Sequence, residues 1–104
     1  MSERPEFYIL NAEGDPWAVD RLTWAQWFGQ HDRRLARDVL PDGRVISTVF
    51  LGLDHNMLGG PPEIFETLVF AGADVLDVSE CQRYATRAQA LAGHQRLVAR
   101  LRDL

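Results

Sequence analysis

The sequence predicts an α+β domain: a small antiparallel sheet of four to five strands, with a short aromatic helix and a C-terminal helix on one face. Three observations predict it. Two runs, Val45-Ile46-Ser47-Thr48-Val49-Phe50-Leu51-Gly52-Leu53 and Ile64-Phe65-Glu66-Thr67-Leu68-Val69-Phe70, are rich in β-branched and aromatic residues. Ala90, Leu91, His94, Leu97, Val98 and Leu101 gather on one side of a helix turning about 100° per residue. Short turn signals separate most elements, which suits antiparallel neighbours.

Taken in order, Phe7-Tyr8-Ile9-Leu10 reads as a first strand, stopped by the turn-rich residues from Asn11 to Pro16. A helix is expected from about Thr23, where Thr23 and Gln26 form a capping box. Trp24, Trp27 and Phe28 give that helix an aromatic face, and Gly29 ends it. Arg34 to Val39 is a second strand, and Pro41-Asp42-Gly43 turns it back into the strand from Val45 to Leu53. After the strand from Ile64 to Phe70 comes an acidic connection, Ala71 to Glu80, carrying Asp74, Asp77 and Glu80. Arg83-Tyr84 then forms a short last strand. Thr86 and Gln89 repeat the capping-box spacing ahead of a helix from Arg87 to Arg102.

Composition sets the boundaries of function. With 104 residues, 46% apolar and 25% charged, the chain suits one globular domain over residues 1–104. No run approaches the roughly 18 apolar residues of a membrane span, and the N-terminal residues carry no signal-peptide core. The lone Cys81 can form no internal disulfide and no thiolate zinc site by itself. The expected compartment is the cytoplasm, with no membrane contact. A net charge of −4 argues against a nucleic-acid partner. Arg33, Arg34 and Arg37, and again Arg96, Arg100 and Arg102, read as solvated basic faces.

The two strong strands pose a packing problem. A sheet covered on one side alternates apolar with polar residues, and these strands do not. Val45, Val49, Leu51 and Leu53 oppose Ile46, Thr48 and Phe50, while Phe65 and Val69 oppose Ile64, Leu68 and Phe70. Two helices cannot cover both faces. A homodimer or partner face built from Ile46, Phe50, Ile64, Leu68 and Phe70 is therefore expected, each large side chain gaining roughly 1.5–3 kcal/mol from full burial. The competing reading is a loop around Trp17 folded over the second face.

Asp54-His55-Asn56, with Gly59-Gly60-Pro61-Pro62, is the sequence's candidate ligand or partner loop, set just past the best strand. A carboxylate beside an imidazole can serve as a general base pair or as metal ligands, with Glu63 and Glu66 the nearest further donors. The same residues also suit a purely structural loop, in which Asp54 and Asn56 cap turns. Glu66 is either a carboxylate paired with Arg83 or Arg34, or a catalytic group with raised pKa. His94, inside the apolar stripe, is either a hydrogen-bonded core residue or a catalytic partner. Asp54, His55, Glu66 and His94 are thus the catalytic candidates. Cys81 needs a nearby base to be a nucleophile. No metal site, no cofactor and no nucleotide-binding motif is expected from the spacing of these residues.

Four segments carry a resemblance. The run from Val45 to His55, the run from Gly60 to Phe70, Leu22-Thr23-Trp24-Ala25-Gln26-Trp27-Phe28, and Arg83-Tyr84-Ala85-Thr86 leading to Ala92-Gly93-His94 together resemble a family of small proteins of bacterial genomes and their phages. The resemblance implies a phage or prophage context and no mechanism, because its members carry no established activity. It also implies that Asp54, His55, Glu66, Tyr84 and His94 match recurring positions. Asn56-Met57-Leu58 departs from it, since members often carry an aromatic soon after the histidine.

The functional expectation is a non-enzymatic binding protein, dimeric, acting on a bacterial protein. The alternative is a small hydrolase or metal-dependent enzyme using the Asp54 and His55 loop.

Overall fold

Asn11 folds the first strand back on itself. Its Oδ1 accepts the backbone N–H groups of Glu13 at 3.0 Å and Asp15 at 2.9 Å, so the chain reverses within five residues. In the computed structural model, which describes residues 5–56, 58–73 and 75–102 (without the side chains of residues 75 and 76), this turn joins β1 (Phe7–Leu10) to β2 (Pro16–Val19). The remaining elements are α1 (Arg21–Phe28), β3 (Arg34–Val39), β4 (Val45–Phe50), β5 (Phe65–Gly72), β6 (Val75–Tyr84) and α2 (Arg87–Arg102). β1 and β2 form a two-stranded antiparallel sheet, and the others a four-stranded antiparallel sheet in the order β3-β4-β5-β6. The α+β class predicted from sequence is the class observed.

β4 ends at Phe50 rather than Leu53 and β5 starts at Phe65 rather than Ile64, and three further differences from expectation have a local reason. Residues Pro16–Val19 are a strand rather than a covering loop, and Trp17 stands 63% exposed on it, away from the second sheet face. Helix α1 starts at Arg21, not Thr23. Asp20 is its N-cap, and the carboxylate accepts the Thr23 N–H at 2.7 Å, so the predicted Thr23–Gln26 box lies inside the helix. The expected acidic connection is mostly strand: β5 runs on to Gly72, and β6 pairs with it from Val75 to Tyr84. Asp74 and Met57 lie outside the described residues.

The turn at Pro41-Asp42-Gly43 forms as predicted. Gly43 takes φ +93, and Asp42 accepts both the N–H and the Nε–H of Arg44. Arg44 Nη2 then donates to Leu101 O at 3.3 Å, tying this turn to the end of α2. At the other end of α2, Thr86 Oγ1 accepts the Gln89 N–H, while Gln89 Oε1 accepts from Ala85 rather than from Thr86. The box spacing holds with its return bond one residue earlier.

Register decides which residues share a face. Ile46 pairs with Val69, Thr48 with Thr67, and Phe50 with Phe65, and this face meets α2. Two apolar clusters result. One joins Leu40, Ile46 and Val69 to Leu97, Val98 and Leu101 of α2. The other joins Phe50, Ile64, Phe65 and Ala90, with Tyr8, Leu10, Trp27, Leu35 and Tyr84 packed around them. Trp27 meets Phe50 edge-on at 5.7 Å, so α1 and β1 lie on the same side of the sheet as α2. Each large side chain buried there contributes about 1.5–3 kcal/mol.

Gly52 fixes the junction of the two sheets. β4 ends at Phe50, and Gly52 turns the chain with φ +71, presenting its carbonyl to the Tyr8 N–H at 2.8 Å. A Cβ there would lie 2.5 Å from Trp24 Nε1 and 2.9 Å from Tyr8 O. Trp24 Nε1 is itself buried without an acceptor among the described residues. The Gly52→Ala variant should therefore lose about 2–3 kcal/mol of stability in urea unfolding, more than a positive φ alone would cost.

Candidate functional site

The residues singled out from the sequence fall into three separate places. Asp54 and Asn56 hold the loop together. Asp54 Oδ1 accepts the N–H of Asn56 at 2.8 Å and of Glu63 at 3.0 Å, which closes the loop across its base. Asn56 Nδ2 donates to Gly59 O and Pro61 O, both at 2.7 Å, and its Oδ1 accepts the Leu58 N–H. Gly59 and Gly60, with φ +85 and +91, let the chain pass through the left-handed region before Pro61 and Pro62. The side chains of Asp54 and Asn56 are thus used in building the loop. The His55 N–H continues the pairing by donating to Glu63 O at 3.1 Å. Among the described residues no group of three or more His, Cys, Asp or Glu side chains is placed to hold a metal ion.

His94 sits elsewhere, in the core between the two apolar clusters. It, Thr48 and Thr67 are all fully buried. His94 Nε2 meets Asp38 Oδ2 at 2.6 Å, His94 Nδ1 meets Thr48 Oγ1 at 2.7 Å, and Thr48 Oγ1 meets Thr67 Oγ1 at 2.5 Å. A carboxylate accepts only, so the imidazole places a proton on Nε2 and donates it to Asp38. In the neutral form of the imidazole Nδ1 is then an acceptor, to which the Thr48 hydroxyl donates while accepting in turn from Thr67. The order hydroxyl, imidazole, carboxylate matches that of a hydrolytic triad. Its hydroxyl is sealed in the core, so a substrate cannot reach it. The line is a structural bond from α2 through β4 to β5, anchored at β3.

Glu66 lies on the opposite face of the sheet. Its Oε2 accepts from Arg83 Nε at 2.9 Å and lies 3.6 Å from Cys81 Sγ. Arg83 is one of the two partners, with Arg34, anticipated from sequence. Burial first, and then the charge of Glu66, push the Cys81 thiol above its ordinary value, while Arg83 opposes them. A thiol held protonated is a weak nucleophile. Asp54, His55, Glu66 and His94 therefore do not form one catalytic group: Glu66 and His94 are separated by the sheet itself.

The sheet face opposite α2 is the third place. Following the register across all four strands gives three rows. Val39, Val45, Phe70 and Val78 make the first, Arg37, Ser47, Leu68 and Cys81 the second, and Arg34, Val49, Glu66 and Arg83 the third. One end of this face is apolar and the other is charged. Val39 is 54% and Val78 40% exposed, and Leu68 and Phe70 are half-buried. The expected partner face is corrected accordingly. Ile46, Phe50 and Ile64 lie in the core under the helices; Leu68 and Phe70 lie on this open face, with Val39 and Val78 beside them.

Sequence reasoning missed Asp38, Thr48 and Thr67 as partners of His94. The signal was two threonines, each in the middle of an apolar strand, facing a stripe that contains one histidine. It also missed the rows, which exist only once register is known. No protein-family model matches the chain, and no curated protein or solved structure is significantly similar to it.

Two outcomes follow from this geometry. His94→Ala, which leaves the Thr48 hydroxyl without its acceptor and opens a cavity, should lower stability by about 3 kcal/mol in urea unfolding. Cys81 should be alkylated by iodoacetamide at pH 8 more slowly than free cysteine, and Glu66→Gln should speed it roughly threefold by removing the negative charge beside the thiol.

Proposed function

We propose that this chain is a non-enzymatic interaction protein that works as a homodimer, joined through the apolar row of its open sheet face. The observation that supports this is the row itself. Val39, Val45, Phe70 and Val78 lie side by side across four strands, Val45 already buried among its neighbours and the other three reaching the surface, while both helices occupy the other face. A two-fold axis along the row sets it against its own copy, and the arginine-bearing third row of each protomer then lies at the outer margin, where like charges stay apart. Covering Val39, Phe70 and Val78 in each protomer contributes about 1–2 kcal/mol per side chain. The upper end of that total exceeds the lower values for the cost of association by only a few kcal/mol, so the dimer is expected to be weak and to dissociate on dilution.

A phage or prophage setting and a bacterial protein as target belong to the same proposal, and rest on the family resemblance alone. The enzymatic alternative is disfavoured by the placement of its candidates, and the triad-like line at His94 is sealed in the core. Asp54 and Asn56 are engaged in building their loop, and Glu66 and His94 stand on opposite sides of the sheet.

Light scattering over a dilution series tests the proposal. A dimer mass that falls toward the monomer on dilution is expected, with Phe70→Asp monomeric throughout and its circular dichroism unchanged. A wild-type monomer persisting to about 1 mM would overturn it.

A further inference from the structure

The charged end of the same face carries a second reading, independent of the dimer. We infer that the corner around Arg33, Arg34 and Arg37 binds an acidic peptide segment of another protein, seating one of its carboxylates in the hollow between Arg33, Arg34 and Ser47.

A backbone irregularity builds this corner. The pairing of β3 with β4 shifts between Arg34 and Ala36, and Leu35 turns into the core with Ala36. Without the shift, Arg34 and Arg37, three residues apart, would point to opposite faces of the sheet. With it, both stand on the open face, opposite Val49 and Ser47. A bulge that re-aims a side chain in this way is a recurrent device beside binding sites.

The charge there is unbalanced. Arg34, Arg37 and Arg83 share the face with one carboxylate, Glu66, and that one is taken by Arg83. Among the described residues, Arg33, Arg34 and Arg37 form no ion pair. Asp32, adjacent in sequence, also lines this corner, and its Oδ1 accepts the Arg34 backbone N–H at 3.0 Å. In a chain of net charge −4, this corner is a local positive field.

The hollow itself has a definite size and lining. It measures about 180 Å³ and is bounded by Asp32, Arg33, Arg34, Ser47 and Val49. That volume admits a carboxylate side chain and falls below the range typical of sites for larger ligands, roughly 300 Å³ and upward. Arg33 is held in place before any ligand arrives: its guanidinium carbon lies 3.7 Å from the centroid of the Phe28 ring, and its Nε is buried without an acceptor among the described residues. A cation already fixed loses little side-chain entropy on binding. No exposed aromatic platform accompanies the arginines, so a peptide is favoured over a nucleic acid as the source of negative charge.

Fluorescence anisotropy with a labelled, capped peptide of alternating glutamate and serine tests this. Arg34→Gln with Arg37→Gln should weaken binding at least about tenfold, the loss expected of one charge-assisted contact. Arg96→Gln with Arg102→Gln on α2, the same change in net charge, should leave it unchanged. Circular dichroism of both variants confirms that they fold, and running the titration in Phe70→Asp separates peptide binding from dimer formation. Three results would overturn the inference: no binding by wild type, equal loss in both double variants, or tighter binding of a single-stranded oligonucleotide of matched charge.

Discussion

The position of α2 depends on one line of hydrogen bonds. Asp38, His94, Thr48 and Thr67 join an edge strand, the helix and the two central strands in series. Apolar contacts alone would allow the helix to slide or roll, since leucines and valines are tolerant of neighbours. Buried polar groups are not tolerant, because an unmatched one costs about 1–3 kcal/mol. The helix must therefore stop where the imidazole reaches both partners. That position also sets Gly93 against Tyr84, where an added Cβ would lie 2.2 Å from the phenol oxygen. The clusters on either side of His94 then fill with side chains that fit this one placement.

The open face follows from the same pairing. The register that stacks Ile46 on Val69 under the helix also lines up Val45 with Phe70 on the reverse side. A strand carries two surfaces, and fixing one fixes the other. The covered surface is apolar with a polar centre. The reverse one is apolar at one end and arginine-rich at the other, which is a pattern of surface chemistry rather than of core packing.

Much of this was legible in the sequence, and the rest was hidden for identifiable reasons. The bounds of β3 and α2 were read as observed, because Pro41-Asp42-Gly43 and the helical stripe with its Thr86 cap are strong local signals. Strand β6 was largely missed. Its residues include Asp77, Glu80, Gln82 and Arg83, as suits an edge strand with a solvated side, so no apolar alternation marks it. The start of α1 went to Thr23 because its box pattern is more conspicuous than Asp20 acting alone. Of the candidate partner face, alternation within each strand was correct, but which parity of β4 shares a side with which parity of β5 is a property of register. Grouping Ile46 and Phe50 with Leu68 and Phe70 joined residues that the sheet separates. At the candidate loop, Asp54-His55-Asn56 offered two readings, a site and a structural turn, and the hydrogen bonds of Asp54 and Asn56 are those of the turn.

The irregularity at Leu35 has a further consequence, for solubility. A four-stranded sheet that is not closed presents two outer strands, each with unpaired main-chain groups able to recruit another chain. On β3 the shift between Arg34 and Ala36 breaks the even spacing of those groups, and the flanking guanidinium groups repel a second copy aligned along it. On β6 the acidic and basic side chains serve the same end. Strand-by-strand growth into fibres is thereby discouraged at both margins.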